Sequence, residues 1–376
     1  MISCGEASGD LYAGALVPEL RARAPGVEVF GFGGPRLAAA GAEMVGSFAG
    51  LTVTGLTEAL RVIPRSYAMY RRLIAAARER RPDVFVAIDF PDFNFRLMAA
   101  LHRLGIPIVY YVSPQLWAWR PGRMTTMKRL VGKVLVIFPF EAPLYERAGI
   151  PVEFVGHPLV DLARPSQPRA AFLQQLGLRA DAPTVALLPG SRPNEIDRIA
   201  PTLADAVRLI RSGTANVQFV VARAPNLPGA LFAPLASLPA VEGRTDDVLA
   251  SSDVVITASG TATVQAALHE RPMVVVYSVS SLTYRLGKPF LKVDTYAMPN
   301  LVAGRRIVPE LIQDEFTPAR VAEETMALLG DAARRAQVQD ALRGVRERLG
   351  APGASARAAT AILDFAAGSD GGSTSA

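Results

Sequence analysis

The sequence predicts an α/β protein built from two doubly wound parallel sheets that face each other across an interdomain cleft. In both halves of the chain, short apolar runs of strand length alternate with amphipathic stretches of helical period. A segment with three prolines, GHPLVDLARPSQP at 156–168, separates the two series. The length of 376 residues also suits two domains, at roughly 100–200 residues per domain.

The first series begins directly at the N-terminus and contains six candidate strands. Their continuous apolar character is typical of strands buried on both faces of a parallel sheet. Helices are predicted at about 65–80 and 94–104, and the glycine-rich GFGG at 31–34 predicts a turn. The candidate strands are Ile2-Ser3, Val27–Phe30, Val84–Ile88, Ile108–Val112, Val134–Ile137 and Val152–Val155.

The second series restarts after the proline-containing linker and predicts a second sheet. Its candidate strands are Thr184–Leu188, Val217–Val221, Val254–Thr257 and Met273–Tyr277, with helices at about 194–211, 261–269 and 318–329. An arginine- and alanine-rich helical stretch follows at 331–366. The predicted domains are therefore 1–158 and 169–344, and the polar tail 367–376 is expected to be disordered.

Composition restricts the class of protein and of partner. Lys and Arg number 40 against 34 Asp and Glu, a net charge of +6 that favours anionic partners. No basic run reaches five residues, which disfavours nucleic acid as the partner. A single cysteine, Cys4, excludes a disulfide within the chain. We find no signal peptide and no run of ~20 apolar residues, so we expect a protein that does not cross a membrane.

The stretch LLPGSRPNEI at 187–196 joins a predicted strand to a predicted helix. Gly190 and Ser191 let the backbone turn sharply, and we expect N–H groups to point outward at the helix N-terminus. Arg192 adds a guanidinium that can hold a phosphate by two hydrogen bonds. The loop is therefore a candidate phosphate site, although an ordinary strand–helix turn capped by Ser191 has the same sequence features.

A second loop has the same design. Ser259, Gly260 and Thr261 lie between a predicted strand and a predicted helix in VVITASGTATVQAAL, 254–268. The two loops together suggest a cradle for a diphosphate and its ribose on one sheet edge. Gln265, on the first turn of the following helix, is a candidate to bind a sugar hydroxyl. An exposed helical glutamine is the alternative interpretation of that residue.

The first predicted strand also ends in a glycine-containing loop, CGEASGDLYAGAL at 4–16. Its glycines do not match the G-x-G-x-x-G spacing, which excludes the fingerprint of a nicotinamide or flavin site. The polar residues Glu6, Ser8 and Asp10 are candidates to face a sugar.

Asp89 ends an apolar strand in VFVAIDFPDFNFR, 84–96, which places its carboxylate at the cleft edge of the sheet. Burial beside Phe90 and Phe93 would make this carboxylate a better general base. Asp92, three residues later, is expected to cap the next helix.

Both tryptophans of the chain lie in YYVSPQLWAWRPGR, 110–123. Gln115, Trp117 and Arg120 are candidates for the acceptor or sugar side of a site at this strand end, and packing of the aromatic rings in the core is the alternative. The three histidines show no metal-ligand spacing, so no metal site is expected. The G-x-S-x-G elbow of a serine hydrolase is also missing.

Seven blocks of the sequence together resemble the lipid-A-disaccharide synthase family. They occur in the family order between about residues 3 and 313. The resemblance implies a GT-B architecture, with an acceptor-side N-terminal domain, a UDP-sugar-binding C-terminal domain and a helix at 345–366 that crosses back to the first domain. The blocks are SCGEASGD, DFPDFNFR, SPQLWAWRPGR, VGHPLVD, LLPGSRPNEI, ASGTATVQAAL and MPNLVAGRRIVPELIQ.

The resemblance implies an inverting glycosyltransferase that needs no cofactor and no metal ion. The donor would be UDP-2,3-diacylglucosamine and the acceptor 2,3-diacylglucosamine 1-phosphate, called lipid X. The products would be the β-1′,6-linked disaccharide 1-phosphate of lipid A and UDP.

Site residues follow from the resemblance by position. Asp89 matches the acidic residue that serves as base for the acceptor 6-hydroxyl, and Asn300 and Glu310 would line the donor side. The segments Pro189–Arg192 and Ser259–Thr261 would hold the diphosphate and ribose of UDP. The family commonly has Glu where Gln265 stands, so ribose recognition is expected to be weaker than is typical.

Both implied substrates carry acyl chains, so the resemblance implies a peripheral protein on the cytoplasmic face of the inner membrane of a Gram-negative bacterium. Segment 48–63, FAGLTVTGLTEALRVI, is a candidate membrane-facing flap, and a core hairpin with a helix is the alternative. Arg61, Arg65, Arg71 and Arg72 would contact anionic headgroups. A homodimer is left open.

Three other functions remain open at this point. Another UDP-sugar transferase of the same architecture, such as the peptidoglycan transferase with a polyprenyl-linked acceptor, should lack SPQLWAWRP and DFPDFNFR. A UDP-sugar 2-epimerase needs acids and a histidine around the sugar. A non-catalytic nucleotide-sugar sensor is compatible with the glutamine at position 265.

Overall fold

The chain divides into two compact units. Unit 1 is Met1–Pro158 together with the chain from Leu349 onward, and unit 2 is Leu159–Arg348. The computed structural model describes residues 1–48, 56–114, 116, 122–225, 227–279 and 295–370, with the backbone alone described at 56–62 and 369–370. Each unit contains one parallel sheet with helices, so the predicted α/β class is confirmed.

Unit 1 contains a seven-stranded parallel sheet with the order β3-β2-β1-β4-β5-β6-β7. Ile2 of the first strand lies opposite Gly31 on one side and Val86 on the other. The chain therefore winds outward from β1 to β3, returns to the centre at β4 and winds in the opposite direction. The strands are β1 (Ile2–Cys4), β2 (Phe30–Gly33), β3 (Glu43–Ser47), β4 (Phe85–Ile88), β5 (Ile108–Tyr111), β6 (Lys133–Val136) and β7 (Val152–Phe154).

The helices of unit 1 connect these strands and bury their apolar faces on the sheet. Phe85, Leu97, Leu101, Met127 and Val134 have no exposed surface and form part of one hydrophobic cluster. Burial of each such side chain contributes roughly 1.5–3 kcal/mol. The helices are α1 (Ala7–Arg23), α2 (Pro35–Ala39), α3 (Leu56–Arg80), α4 (Pro91–His102), α5 (Arg123–Leu130) and α6 (Ala142–Arg147).

Unit 2 contains a six-stranded parallel sheet with the order β10-β9-β8-β11-β12-β13, wound in the same way as the first. Its strands are β8 (Thr184–Leu188), β9 (Gln218–Arg223), β10 (Ala240–Glu242), β11 (Val254–Ala258), β12 (Met273–Tyr277) and β13 (Glu310–Ile312). Its helices are α7 (Leu159–Leu162), α8 (Arg169–Gln175), α9 (Pro193–Gly213), α10 (Thr245–Ala250), α11 (Thr261–Leu268), α12 (Met298–Ala303), α13 (Pro318–Gly330) and α14 (Ala332–Arg348), with 3-10 turns at Gly229–Leu235 and Gln313–Glu315.

The C-terminal helix belongs to unit 1. Helix α15 (Ala354–Asp370) packs along α1, where Arg23 donates from Nε to Thr360 Oγ1 at 2.9 Å. The predicted single stretch 331–366 is two helices, because Gly350 and Gly353 have positive φ angles that end the first. Residues 367–370, expected to be disordered, continue α15, and 371–376 lie outside the described residues.

The turn predicted at GFGG is wrong, because Phe30–Gly33 form strand β2. Gly31 has a φ of 155°, and a Cβ at this position would lie 1.9 Å from the carbonyl oxygen of Ile2. The glycine therefore marks a close approach of two strands and not a turn. Strands β3 and β10 were missed because their residues are largely exposed or half-buried and lack an apolar run. Strand β13 was missed as well, because it has only three residues and begins with the acidic Glu310.

Candidate active site

Each sheet reverses its winding direction between two central strands, and ligands of doubly wound folds bind at such a switch point. In unit 1 the switch point lies between β1 and β4. Cys4 pairs with Ile88 at the carboxyl ends of these strands. The loops that follow therefore begin side by side, with Glu6 in one and Asp89 in the other, and both residues are half-buried.

The backbone at Asp89 is strained. Asp89 and Phe90 both have left-handed conformations, with φ of 45° and 51°, and Val112 at the end of β5 has a φ of 61°. Bulky and β-branched residues rarely adopt this conformation, which costs about 1–3 kcal/mol per residue. Such strain persists only where the surrounding structure holds it.

Two buried side chains hold the main-chain carbonyl of Asp89. Asn94 donates to it from Nδ2 at 2.7 Å, and Tyr110 donates its hydroxyl at 2.8 Å. Ser3 on β1 donates from Oγ to Oδ1 of Asn94 at 2.7 Å. The network thus joins both strands that border the switch point. Sequence reasoning missed these three residues, because no local pattern separates a buried amide or hydroxyl of this kind from an ordinary core residue.

Phe90 follows Asp89 and packs over the loop after β1. A Cβ on Gly5 would lie 2.2 Å from the Phe90 ring, so a larger residue here would displace that ring. The ring also packs against Phe93, with 5.4 Å between centroids, and stacks on Phe32 at 6.4 Å. The phenylalanines expected beside Asp89 therefore form an aromatic cluster at the switch point.

Asp10, expected to face a sugar, has a structural role. Its Oδ1 accepts hydrogen bonds from the N–H groups of Gly34 and Leu37 at 2.8 and 3.0 Å, and its Oδ2 accepts from Arg36 at 2.9 Å. The side chain is buried and satisfies the N-terminus of α2. Ser8 lies half-buried in the first turn of α1, one residue after its first helical position.

Of the aromatic loop, Gln115, Trp117 and Arg120 lie outside the described residues. Asp92 does not cap α4 as expected, because the helix begins at Pro91 and Phe90 is the residue before it. Asp92 lies in the first turn and forms an ion pair with Arg123 of α5.

His157 is a buried residue of unit 1 to which the sequence analysis assigned no role. Its ring packs edge-on against Tyr12 and Phe138, with centroid distances of 5.9 and 5.2 Å. Burial lowers the pKa of His157 to about 3, so the imidazole is neutral at physiological pH. Burial also raises the pKa of Tyr12, and the charge of Asp89 adds to that rise.

In unit 2 the switch point lies between β8 and β11. Leu188 pairs with Thr257, so the loops after these strands also begin side by side. One leads into α9 at Pro193 and the other into α11 at Thr261. The structure therefore brings the two predicted phosphate loops together at one edge, with Ser191 and Thr261 exposed.

The first of these loops differs from expectation in one respect. Its N–H groups do not point outward to solvent: those of Ser191 and Arg192 donate to Oε2 of Glu195 at 3.1 and 3.3 Å. Gly190 has a φ of 134°, and a Cβ there would lie 2.9 Å from Glu195. The Glu195 carboxylate thus occupies the anion position at the start of α9, and the exposed Arg192 guanidinium lies 3.5 Å from its Oε1.

The second loop presents its backbone, and the hydroxyls of Ser259 and of Thr263 in the following helix form internal hydrogen bonds. Ser259 donates from Oγ to the carbonyl of Tyr296 at 3.1 Å, and Thr263 donates to the carbonyl of Gly260 at 2.7 Å. Gly260 is exposed, with a φ of 153° and a ψ of −158°, and no atom lies within 4 Å of the position of a Cβ. Only glycine adopts this conformation readily. The result is an open backbone surface at Gly260, beside the exposed Thr261 at the start of α11.

Gln265 lies on α11, half-buried, one turn after this loop. Its amide nitrogen donates to Asp246 in the first turn of α10, and His269 contacts the same carboxylate. The structure therefore adds Asp246 to the candidate site. Sequence reasoning missed it, because the two residues lie on different helices and are 19 positions apart along the chain.

Asn300 and Glu310, expected to line the donor side, are buried and bonded within unit 2. Glu310 accepts from the N–H groups of Tyr296 and Ala297 at 2.8 and 3.1 Å, and from Nδ2 of Asn300 at 2.6 Å. Oδ1 of Asn300 accepts from the N–H groups of Ile307 and Val308. These residues hold the start of α12 in place and do not present their side chains to a ligand.

Within the described part of the chain, no three His, Cys, Asp or Glu side chains form a group that could hold a metal ion. The helices described include none whose length and apolar character would allow it to span a membrane.

Solved structures with a similar fold have low sequence identity. A UDP-GlcNAc 2-epimerase from Neisseria meningitidis, bound to UDP-GlcNAc, matches with a TM-score of 0.70 at 12% identity, covering 96% of this chain and 99% of that one. The glycosyltransferase of kitacinnamycin matches with a TM-score of 0.61 at 21% identity, covering 97% and 98%. These matches support the fold alone, the two-sheet α/β fold found in GT-B glycosyltransferases.

Sequence relatives are much more similar. The lipid-A-disaccharide synthase of Myxococcus xanthus is 44% identical over 374 residues, covering 97% of each chain. That of Koribacter versatilis is 44% identical over 376 residues, covering 97% of this chain and 98% of the relative. The family model described as lipid-A-disaccharide synthetase matches residues 1–364. The other functions left open by the sequence are therefore not favoured: the chain belongs to the lipid-A-disaccharide synthetase family and is a glycosyltransferase of lipid A biosynthesis.

Proposed function

We propose that the chain transfers 2,3-diacylglucosamine from UDP-2,3-diacylglucosamine to the 6-hydroxyl of lipid X. The products are the β-1′,6-linked disaccharide 1-phosphate and UDP. The observation that carries the assignment of residues is the position of Asp89. It is a half-buried carboxylate at the switch point of unit 1, on a backbone that Asn94 and Tyr110 hold in a left-handed conformation.

Asp89 acts as the general base in this proposal. Its carboxylate takes the proton of the acceptor 6-hydroxyl while the hydroxyl oxygen attacks the anomeric carbon of the donor. The bond from that carbon to the diphosphate oxygen breaks, and its electron pair leaves with UDP. Attack on the face opposite the leaving group inverts the anomeric centre. A positioned base of this kind contributes roughly 100- to 10,000-fold to a rate.

The loops at the switch point of unit 2 stabilise the leaving diphosphate. The N–H groups of Ser191 and Arg192 already hold an anion, the Glu195 carboxylate, which supports a diphosphate at the same position after Glu195 moves aside. The Arg192 guanidinium and the start of α11 add positive charge. We propose that these groups neutralise the leaving group without a metal ion.

Gln265 binds the ribose in this proposal, and Asp246 orients it. Because the amide nitrogen of Gln265 donates to Asp246, its carbonyl oxygen is directed away from that carboxylate. A carbonyl oxygen accepts a hydrogen bond from a ribose hydroxyl as a carboxylate would, with less strength. Asn300 and Glu310 contribute by fixing the start of α12.

The acyl chains of both substrates require contact with the cytoplasmic face of a membrane, and we propose that α3 provides it. Of the candidate flap 48–63, residues 49–55 lie outside the described residues, as do the side chains of 56–62. On the following turns, Ile63 and Tyr67 are each 61% exposed. An Ile63→Glu, Tyr67→Glu variant is expected to lose flotation with anionic liposomes, and unchanged flotation would contradict the contact.

A detergent-micelle assay tests the reaction. Purified protein is mixed with UDP-2,3-diacylglucosamine and lipid X, with and without EDTA, and disaccharide and UDP are followed by mass spectrometry. Disaccharide formed equally in EDTA supports both the reaction and its independence of metal. Release of UDP without disaccharide contradicts the proposed acceptor. UDP binding without any turnover contradicts the proposed reaction, favours a non-catalytic sensor and makes Gln265 the first residue to test.

A further inference from the structure

A groove of about 690 Å³ lies in unit 2, between helix α14 and the segment that joins α12 to β13. Four arginines line it: Arg305 and Arg306 from the segment, and Arg334 and Arg348 from the helix. None of the lining residues belongs to the loops proposed to bind UDP. The proposed transfer reaction therefore assigns no role to this groove.

The groove is strongly cationic. Of the described residues that line it, Asp340 alone is acidic, and its carboxylate is already paired with Arg343. Arg348 donates to the carbonyls of Val302 and Ala303 at 3.0 and 2.8 Å, and such neutral acceptors do not cancel its charge. Arg334 forms an ion pair with Glu324 at 2.6 Å and is partly neutralised. Arg305, together with Arg348 on its neutral acceptors, therefore leaves an excess of positive charge at the rim.

The base of the groove is apolar. Val338 and Val345 are buried there, and Ile307 and Ala341 are half-buried beside them. A free phosphate would contact the arginines and gain nothing from this apolar surface. A phosphate joined to an apolar chain would gain from both, because burial of each CH₂ group adds to its binding.

We propose that this groove binds the phosphate headgroup of an anionic membrane lipid. The arginines hold the phosphate, and the glycerol and first acyl carbons lie on the apolar base. The lipid would come from the membrane that the chain contacts, and this part of the inference rests on the membrane contact under the proposed function. Binding measured without either sugar substrate distinguishes a failure of this groove from a failure of the proposed transfer reaction.

The test is calorimetric titration of the full chain with dihexanoyl phosphatidylglycerol, kept below its micelle concentration. Dihexanoyl phosphatidylcholine and inorganic phosphate are titrated in parallel. We expect the anionic lipid to bind at least about tenfold more tightly than either comparison ligand. Equal binding of inorganic phosphate would make the groove a free-anion site, and equal binding of phosphatidylcholine would show that charge does not select the ligand. Either outcome, or no binding at all, overturns the proposal.

Two variants locate the binding. The double variant Arg305→Gln, Arg306→Gln is expected to lower the affinity for the anionic lipid by about tenfold or more, because charged hydrogen bonds are lost. Gly344 lines the groove, and a Cβ there meets no atom within 4 Å, so larger side chains fit. Gly344→Glu is expected to weaken lipid binding and the isosteric Gly344→Gln to preserve it. Equal affinities for that pair contradict a phosphate site at this position.

A matched control removes the same charge elsewhere. Arg179 and Arg208 are exposed arginines of unit 2 outside the groove, each paired with an acid. Arg179→Gln with Arg208→Gln is expected to leave lipid binding unchanged. If this control weakens binding as much as the groove variant, net charge and not the groove is responsible. UDP affinity, measured in every variant, reports whether unit 2 remains folded.

Discussion

Gln265 and Asp246 come from different helices and form one hydrogen-bonded pair. The amide nitrogen of Gln265 lies 3.2 and 3.3 Å from the two carboxylate oxygens of Asp246. Nε2 of His269 lies 2.9 Å from one of the same oxygens. A neutral amide suits position 265, because a carboxylate there would face the carboxylate of Asp246. The pair gives a physical reason for a glutamine at position 265.

Gln265→Glu is expected to destabilise the fold. The substitution replaces a hydrogen bond with a contact between two carboxylates, and the free energy of unfolding should fall by on the order of 1–3 kcal/mol. Urea unfolding measures the change. The control is the double variant Asp246→Asn, Gln265→Glu, in which an amide again faces a carboxylate. If the double variant is no more stable than Gln265→Glu, the pair does not stabilise the fold as described.

Asp89→Asn is expected to lower turnover by roughly 100-fold or more while UDP affinity stays the same, because the amide cannot take the acceptor proton. Product formation under single-turnover conditions and calorimetric titration of UDP measure the two effects. Asp92→Asn is the matched control, since Asp92 lies three residues away with a side chain 79% exposed. Unchanged turnover in Asp89→Asn would remove Asp89 from the mechanism.

Glu195→Gln is expected to loosen α9 and to strengthen UDP binding. Loss of the negative charge at the helix start lowers the free energy of unfolding by about 0.5–1 kcal/mol. The diphosphate then displaces a neutral amide in place of a carboxylate, so UDP should bind several-fold more tightly. Glu323→Gln, on the surface of α13, is the control. Weaker UDP binding in Glu195→Gln would show that the carboxylate supports the site instead of competing for it.

His157 makes the fold sensitive to acid. Its folded pKa is lowered from 6.5 to about 3, so below pH 6.5 the unfolded chain binds a proton that the folded chain does not. The contribution of neutral His157 to stability is therefore fully present above about pH 6.5 and is lost as the pH falls toward 3. At pH 5 the free energy of unfolding is lower by about 2 kcal/mol.

His157→Phe keeps an aromatic ring and removes this titration. The difference in free energy of unfolding between pH 7 and pH 5 is expected to shrink by about 2 kcal/mol relative to the parent chain. Denaturant unfolding at both pH values measures it, with the exposed His102→Gln as control. An unchanged pH dependence in His157→Phe would mean that another group carries the acid sensitivity.

Much of the fold and the position of the candidate site could be predicted because both depend on local patterns. Buried parallel strands such as Thr184–Leu188 are continuous apolar runs, and the structure begins and ends this strand where the pattern does. The residues directly after such strands lie at the carboxyl edge whatever the details of packing. Asp89, Ser191 and Gly260 could therefore be placed at sheet edges from the chain order alone.

The partners of the polar side chains could not be predicted in this way. Asp10 bonds to backbone 24 to 27 residues away, and Ser3 bonds to Asn94 across 91 residues. Glu310 looks like a ligand-binding acid in the sequence, yet backbone N–H groups and Asn300 occupy its carboxylate. A buried carboxylate or amide bonds to whichever donors packing brings within about 3 Å. Periodicity along the chain determines which elements form and where they end, whereas these pairings depend on how distant elements pack, and only the tertiary structure decided which polar groups remain for a ligand.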